Sequence, residues 1–181
     1  EEEIYQLCLK NSKENPFNHY LDFLKELKEL TDEEWRLSQG PGWEFLHIVE
    51  TTSMSKSYKM PILLAFYNDG EIKMGITEED VYQSCKAFYE KDQNWRDMEK
   101  DKNTRDFRSW DKKRYVSEAR KNPVHFLKES GSGFFVDREG FVLALRDDLR
   151  DVVTEPAFVQ HMKDIIDYRT MNYYRQRYEK G

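Results

Sequence analysis

Residues 61–66 read Pro-Ile-Leu-Leu-Ala-Phe, an apolar run without a break, and Asn68-Asp69-Gly70 follows almost at once. The run is far shorter than the roughly 18 residues a membrane span needs. It carries no polar stripe, so a helix over about residues 57–67 has to be covered on several sides rather than lie on a surface. Asn-Asp-Gly then favours a tight turn, and Glu-Ile-Lys-Met-Gly-Ile at residues 71–76 alternates like a short strand. A chain with this segment must wrap other elements around a central helix and return a strand beside it.

The flanking sequence supplies those elements. Tyr20, Phe23, Leu24, Leu27 and Leu30 fall on one helical stripe, and Thr31-Asp-Glu-Glu34 reads as the capped start of a second short helix bearing Trp35. Gly40-Pro41-Gly42 breaks the chain, and residues 43–54 lean helical. Thr77 precedes three acids and caps a helix whose apolar face is Val81, Tyr82, Cys85, Phe88 and Tyr89. Residues 91–110 are polar and read as a long irregular connection carrying Trp95, Phe107 and Trp110. Asp111 caps the next helix, Asn122-Pro123 ends or restarts it, and residues 125–133 run into a loop. Two β-rich runs flank Asp137-Arg138-Glu139-Gly140 as a hairpin. Residues 155–180 read as one long helix, with Phe158, Met162, Ile165 and Ile166 in its first half and a Tyr/Arg face in its second.

In order, residues 57–145 are expected to form helix, strand, helix, helix and hairpin, the arrangement of a winged helix. The fold class predicted is mainly α, with a winged-helix-like centre, added N-terminal helices and a long C-terminal helix. The domain reading is an N-terminal helical extension (1–40), the winged-helix-like domain (41–150) and a C-terminal helix packed on it (151–181). Its core is expected to contain Leu63, Leu64, Phe66, Val81, Cys85, Phe88, Val116, Phe126, Phe135 and Leu143. Residues 72–74 are expected to pair with the hairpin.

Several stretches also resemble a known family. SMSKSYKMPILLAF, DFRSWDKKRYVSEARKNPVHFL, FFVDREGFVLALRDDL and IIDYRTMNYYRQRY are similar to the C-terminal region of some bacterial superfamily II DEAD/DEAH-box helicases, from about Trp43 onward. The resemblance implies a non-catalytic accessory domain that binds or orients nucleic acid, most readily DNA, for an ATP-driven motor in the same polypeptide. The opening Glu1-Glu2-Glu3, without methionine, fits a piece of a longer chain.

The residues themselves narrow the chemistry. No G-x-x-x-x-G-K-[ST] loop and no Asp-Glu-x-His box occurs, so ATP hydrolysis is not expected of this segment. His19, His47, His125 and His161 are isolated, Cys8 and Cys85 have no ligand spacing, and no nucleophile elbow is present. No cofactor, no metal, no small-molecule substrate and no membrane partner are expected, and the cysteine usage fits the cytoplasm. The net charge of -6 is unevenly spread. Acids outnumber bases ten to five over residues 1–36, whereas residues 102–128 hold nine Lys/Arg against three acids. Candidate nucleic-acid contacts are therefore Lys112, Lys113 and Arg114 in the first turn of the helix after Asp111, Arg120 and Lys121 at its end, Lys56 and Lys59 before the central helix, and Arg138 at the wing. The alternative is a protein-interaction module on the same fold, docking on the motor or on a partner subunit.

Overall fold

A computed structural model describes residues 20–91 and 93–178; Cys8, His19 and the end of the tail helix expected to reach Lys180 lie outside the described residues. The central helix, α4 (Lys59–Leu64), follows α1 (Tyr20–Leu27), α2 (Asp32–Leu37) and α3 (Pro41–Thr51). It is shorter than the sequence suggests, and every residue from Lys59 to Leu63 is buried. Pro61 sits in its first turn, where a missing backbone N–H breaks no helical hydrogen bond.

The chain leaves α4 through a two-residue hairpin, β1 (Tyr67–Asn68) against β2 (Glu71–Ile72). Asp69 and Gly70 both have positive φ, 47° and 98°, as a tight hairpin of this hand requires. This turn corrects the strand reading. Ile72 pairs with Tyr67, and a separate strand, β3 (Gly75–Ile76), pairs with the later hairpin. Of residues 72–74, Met74 alone makes a backbone hydrogen bond to that hairpin among the described residues, its carbonyl accepting from the Leu145 amide at 2.9 Å. Gly75 lets the Phe141 ring lie close over the backbone; a Cβ there would stand 2.7 Å from that ring and displace it.

Thr77 and Asp80 form a reciprocal capping box at the start of α5 (Glu78–Glu90), which turns Val81, Cys85, Phe88 and Tyr89 inward. The connection expected to be irregular contains a helix, α6 (Arg96–Lys100), and a single 3₁₀ turn (Phe107–Ser109). Asp111 caps α7 (Lys112–Ala119), its carboxylate accepting from the Arg114 amide at 2.8 Å. The helix then widens into a π turn (Arg120–Val124) and continues as α8 (His125–Ser130), where the sequence suggests a loop. Pro123 is the cause: it has no N–H to offer and its ring needs room, and a π turn provides that room. The extra residue also rotates α8. Leu127 faces the core, 1% exposed, and Phe126 is 46% exposed, contrary to the expected core.

The hairpin β4 (Phe135–Val136) and β5 (Leu143–Leu145) completes a three-stranded antiparallel sheet of order β3-β5-β4. The long tail helix α9 (Pro156–Tyr178) then packs on α3, α2 and α4. The molecule is mainly helical, and one hydrophobic cluster runs from Leu21 in α1 to Tyr174 in α9. Phe45 lies at its middle, with ring centroids 5.6–5.8 Å from Phe134, Phe135 and Phe158. Leu63, Phe66, Val81, Cys85, Phe88, Val116, Phe135 and Leu143 belong to it, whereas Leu64 is half-buried and borders an open groove between α5 and α9. Among the described residues no helix is long and apolar enough to cross a membrane.

Candidate nucleic-acid interface

The first turn of α7 is exposed, as a binding helix needs, but two of its three cations, Lys112 and Arg114, already have partners. Lys112 Nζ reaches Glu79 at 3.1 Å and Arg120 reaches Glu78 at 3.4 Å, both acids standing in the first turn of α5. Arg114 and Lys121 share Glu118, at 3.5 and 3.1 Å. Lys113 is exposed and makes no ion pair among the described residues. The acids respond: a hydrogen bond from Gln83, followed by the Lys112 ammonium, holds the Glu79 carboxyl below its ordinary value. Both sides of the Lys112 and Arg120 pairs stay about half exposed, so water and salt compete with each pair.

The other candidates divide sharply. Lys56 pairs with Asp101 and lies over the Tyr58 ring, 5.2 Å from its centroid. Burial pulls the Lys56 ammonium down, but Asp101 and Tyr58 together outweigh it and hold the group above its ordinary value. Lys59 points inward. It is 7% exposed and donates to Thr52 Oγ1 at 2.9 Å and Ser130 Oγ at 3.2 Å, while burial and then Arg169 push its pKa down. A phosphate contact by Lys59 is thus corrected to a buried tie between the end of α3 and the end of α8. Arg138 likewise braces the hairpin, donating to the Leu145 carbonyl at 3.3 Å and Asp147 at 2.8 Å.

The tail tyrosines pack against the segment before α4. Asp97 of α6, 3% exposed, accepts from the Ser57 amide at 2.9 Å, the Tyr173 hydroxyl at 3.0 Å and the Tyr178 hydroxyl at 2.8 Å. Tyr174 donates to the Asn94 carbonyl and meets the Ser57 hydroxyl at 2.7 Å. These bonds fix Lys56 and α6 relative to the core.

Sequence reasoning missed what α6 and the following turn contribute. Met98, Asp101, Asn103, Thr104 and Trp110 close over α5 and α7 to leave a cavity of about 140 Å³. Its deeper walls are Tyr58, Cys85, Tyr89, Tyr115 and Ala119. Lys56, Arg114 and Lys121 surround it through their pairs with Asp101 and Glu118, and Arg114 also lies over Trp110, 5.3 Å from the ring centroid. The structure therefore gathers these three candidates around one cavity and sets Lys112 and Arg120 on the α5 side of α7. The spacing of Trp95, Met98, Phe107 and Trp110 in a polar stretch was the available signal that the connection is packed. Among the described residues no cluster of His, Cys, Asp or Glu is arranged to hold a metal ion.

Comparison with family models, with curated proteins and with solved structures finds no match to this chain.

Proposed function

We propose that this chain is a non-catalytic accessory region of a bacterial superfamily II helicase, and that residues 57–145 act as a winged-helix-like unit that binds or orients nucleic acid for a motor in the same polypeptide. The observation that carries the reading is the sheet order β3-β5-β4 with α5 and α7 between its strands in the chain, which leaves the basic first turn of α7 exposed. In a winged helix that turn faces the nucleic acid, where Lys and Arg meet phosphates. The pairs of Lys112 and Arg120 with Glu79 and Glu78 are exposed enough for phosphate oxygens to replace the carboxylates.

A second reading, a module that docks on the motor or a partner protein, is favoured by the same ion pairs. They neutralise much of the basic face within the molecule. Salt-dependent binding of duplex DNA separates the two. Binding through about three phosphates gives a slope of log affinity against log salt of about -3, as condensed counterions are released. Changing Lys112, Lys113 and Arg114 together to Glu should weaken binding to all sequences alike and flatten that slope, with circular dichroism confirming the fold. Unchanged affinity in the triple variant would favour protein docking.

A further inference from the structure

The cavity under Trp110 has the size and chemistry of a site rather than of a packing fault. Its volume is about 140 Å³, close to the roughly 150 Å³ of a cavity that accepts one six-membered aromatic ring. Four aromatic residues line it: Tyr58, Tyr89, Trp110 and Tyr115. Burial pushes both the Cys85 thiol and the Tyr115 phenol up to about 12, so these walls are uncharged at neutral pH.

Polar groups without partners open onto it. Tyr89 is 5% exposed, and its hydroxyl makes no hydrogen bond among the described residues. Among the described residues no polar side-chain atom is both sealed off and unsatisfied, so that hydroxyl keeps some access, and Tyr89 is one of the residues that line the cavity. Asn103 and Asn122, both exposed, also line the cavity, and their side-chain amides make no hydrogen bond among the described residues. Asp101 and Glu118 add two carboxylates, each held by cations that also lie over the walls or beside them.

We infer that this cavity receives a single unpaired cytosine base from a single-stranded nucleic acid, whose flanking phosphates meet Lys56, Arg114 and Lys121. The inference rests on the nucleic-acid reading of the chain and adds a substrate class to it. Aromatic walls stack on a base of any kind, and the volume selects one ring over two. A carboxylate accepts from the exocyclic amine of cytosine and repels the carbonyl oxygen that thymine or uracil presents at the same place. The free Tyr89 hydroxyl and the Asn amides are the matching donors for the ring nitrogen and carbonyl oxygen of cytosine.

The test compares short oligodeoxycytidylate, oligothymidylate and an abasic oligomer of equal length by fluorescence anisotropy at low ionic strength. The 181-residue chain should bind the cytosine oligomer about 5- to 50-fold tighter than the other two, the range expected of one stacked and hydrogen-bonded base. Ala119→Leu, which fills the cavity from α7, should lower cytosine binding to the abasic level and leave abasic binding unchanged. Asn122→Leu, at the exposed mouth, should do the same where Ala119→Leu fails to fold. Equal affinity of the wild-type chain for the cytosine and abasic oligomers overturns the base pocket and leaves the phosphate-binding reading standing. Absence of binding to every oligomer overturns both. Preferential binding of a trimethyllysine peptide, lost in the same variants, would make the cavity an aromatic cage for a protein ligand and overturn the cytosine assignment.

Discussion

Glu50, Lys59 and Arg169, gathered near the contact of α3 with α9, are the same residue types as Glu78, Lys112 and Arg120 between α5 and α7, yet the two groups behave as different materials. Arg169 donates to the carbonyls of Val49 and Thr52, which the end of α3 leaves without helical partners. Lys59 holds Thr52 and Ser130, and Glu50 accepts from the Tyr20 amide at 3.0 Å. These side chains satisfy polar groups that are buried or partly buried. The α5–α7 pairs satisfy nothing buried; they join half-exposed side chains that water would solvate equally well. A charge that closes a buried hydrogen bond cannot be spared for a ligand, and a charge held only by an exposed partner can.

The largest expected effect comes from breaking the buried side of this contrast. Arg169→Ala should lower unfolding stability by roughly 2–5 kcal/mol, because it leaves two buried carbonyls unpaired. Urea denaturation followed by circular dichroism measures it. A loss below about 1 kcal/mol would place the buried cluster in the same class as a surface pair.

Next in size is the pH response of Glu50. Burial raises its carboxyl to about 8, while the Tyr20 amide and Arg169 oppose that rise and Asp22 adds to it; Arg169, lowered to about 10 by burial, keeps its charge at neutral pH. The folded pKa lies above the ordinary 4.5, so the contribution to stability is complete below about pH 4.5 and is lost as pH rises through about 8. Glu50→Gln removes that dependence and should be more stable than the parent at pH 9 by on the order of 3 kcal/mol. Thermal unfolding at pH 5 and pH 9 tests the sign: the gap between the two proteins should widen with pH.

The smallest effect sharpens the exposed side. Arg120→Gln should leave the thermal midpoint unchanged at physiological salt and reduce duplex binding only slightly, because the Glu78 pair is already screened. A drop in midpoint comparable to that of Arg169→Ala would erase the distinction between the two regions.

Much of the fold was legible because it rests on local chemistry. The Thr31 and Thr77 capping boxes and the Asp111 cap close hydrogen bonds three residues along the chain, so neighbouring letters suffice to locate three helix starts. The apolar run at α4 signalled burial for the same reason. The errors fall where two local readings compete. Residues 71–76 alternate along their whole length, but the Asp69-Gly70 turn binds residues 71–72 to Tyr67 and leaves residues 75–76 for the sheet. Asn122-Pro123 looks like a helix end, and the π turn that absorbs the proline moved Phe126 out of the core.

For the candidate site, sequence alone identified the residue types and the helix that carries them. It determined that α7 begins at Asp111 with three cations in its first turn, since a cap and a charge run are properties of adjacent positions. It could not separate Lys59 from Lys112, because the difference lies in Thr52, Ser130 and Glu79, residues brought near only by folding. Nor could it foresee the cavity, whose walls come from four stretches of chain between Tyr58 and Pro123. Burial and enclosure are set by which distant surfaces meet, and that was decided by the packing of α6 and Trp110 over α5 and α7.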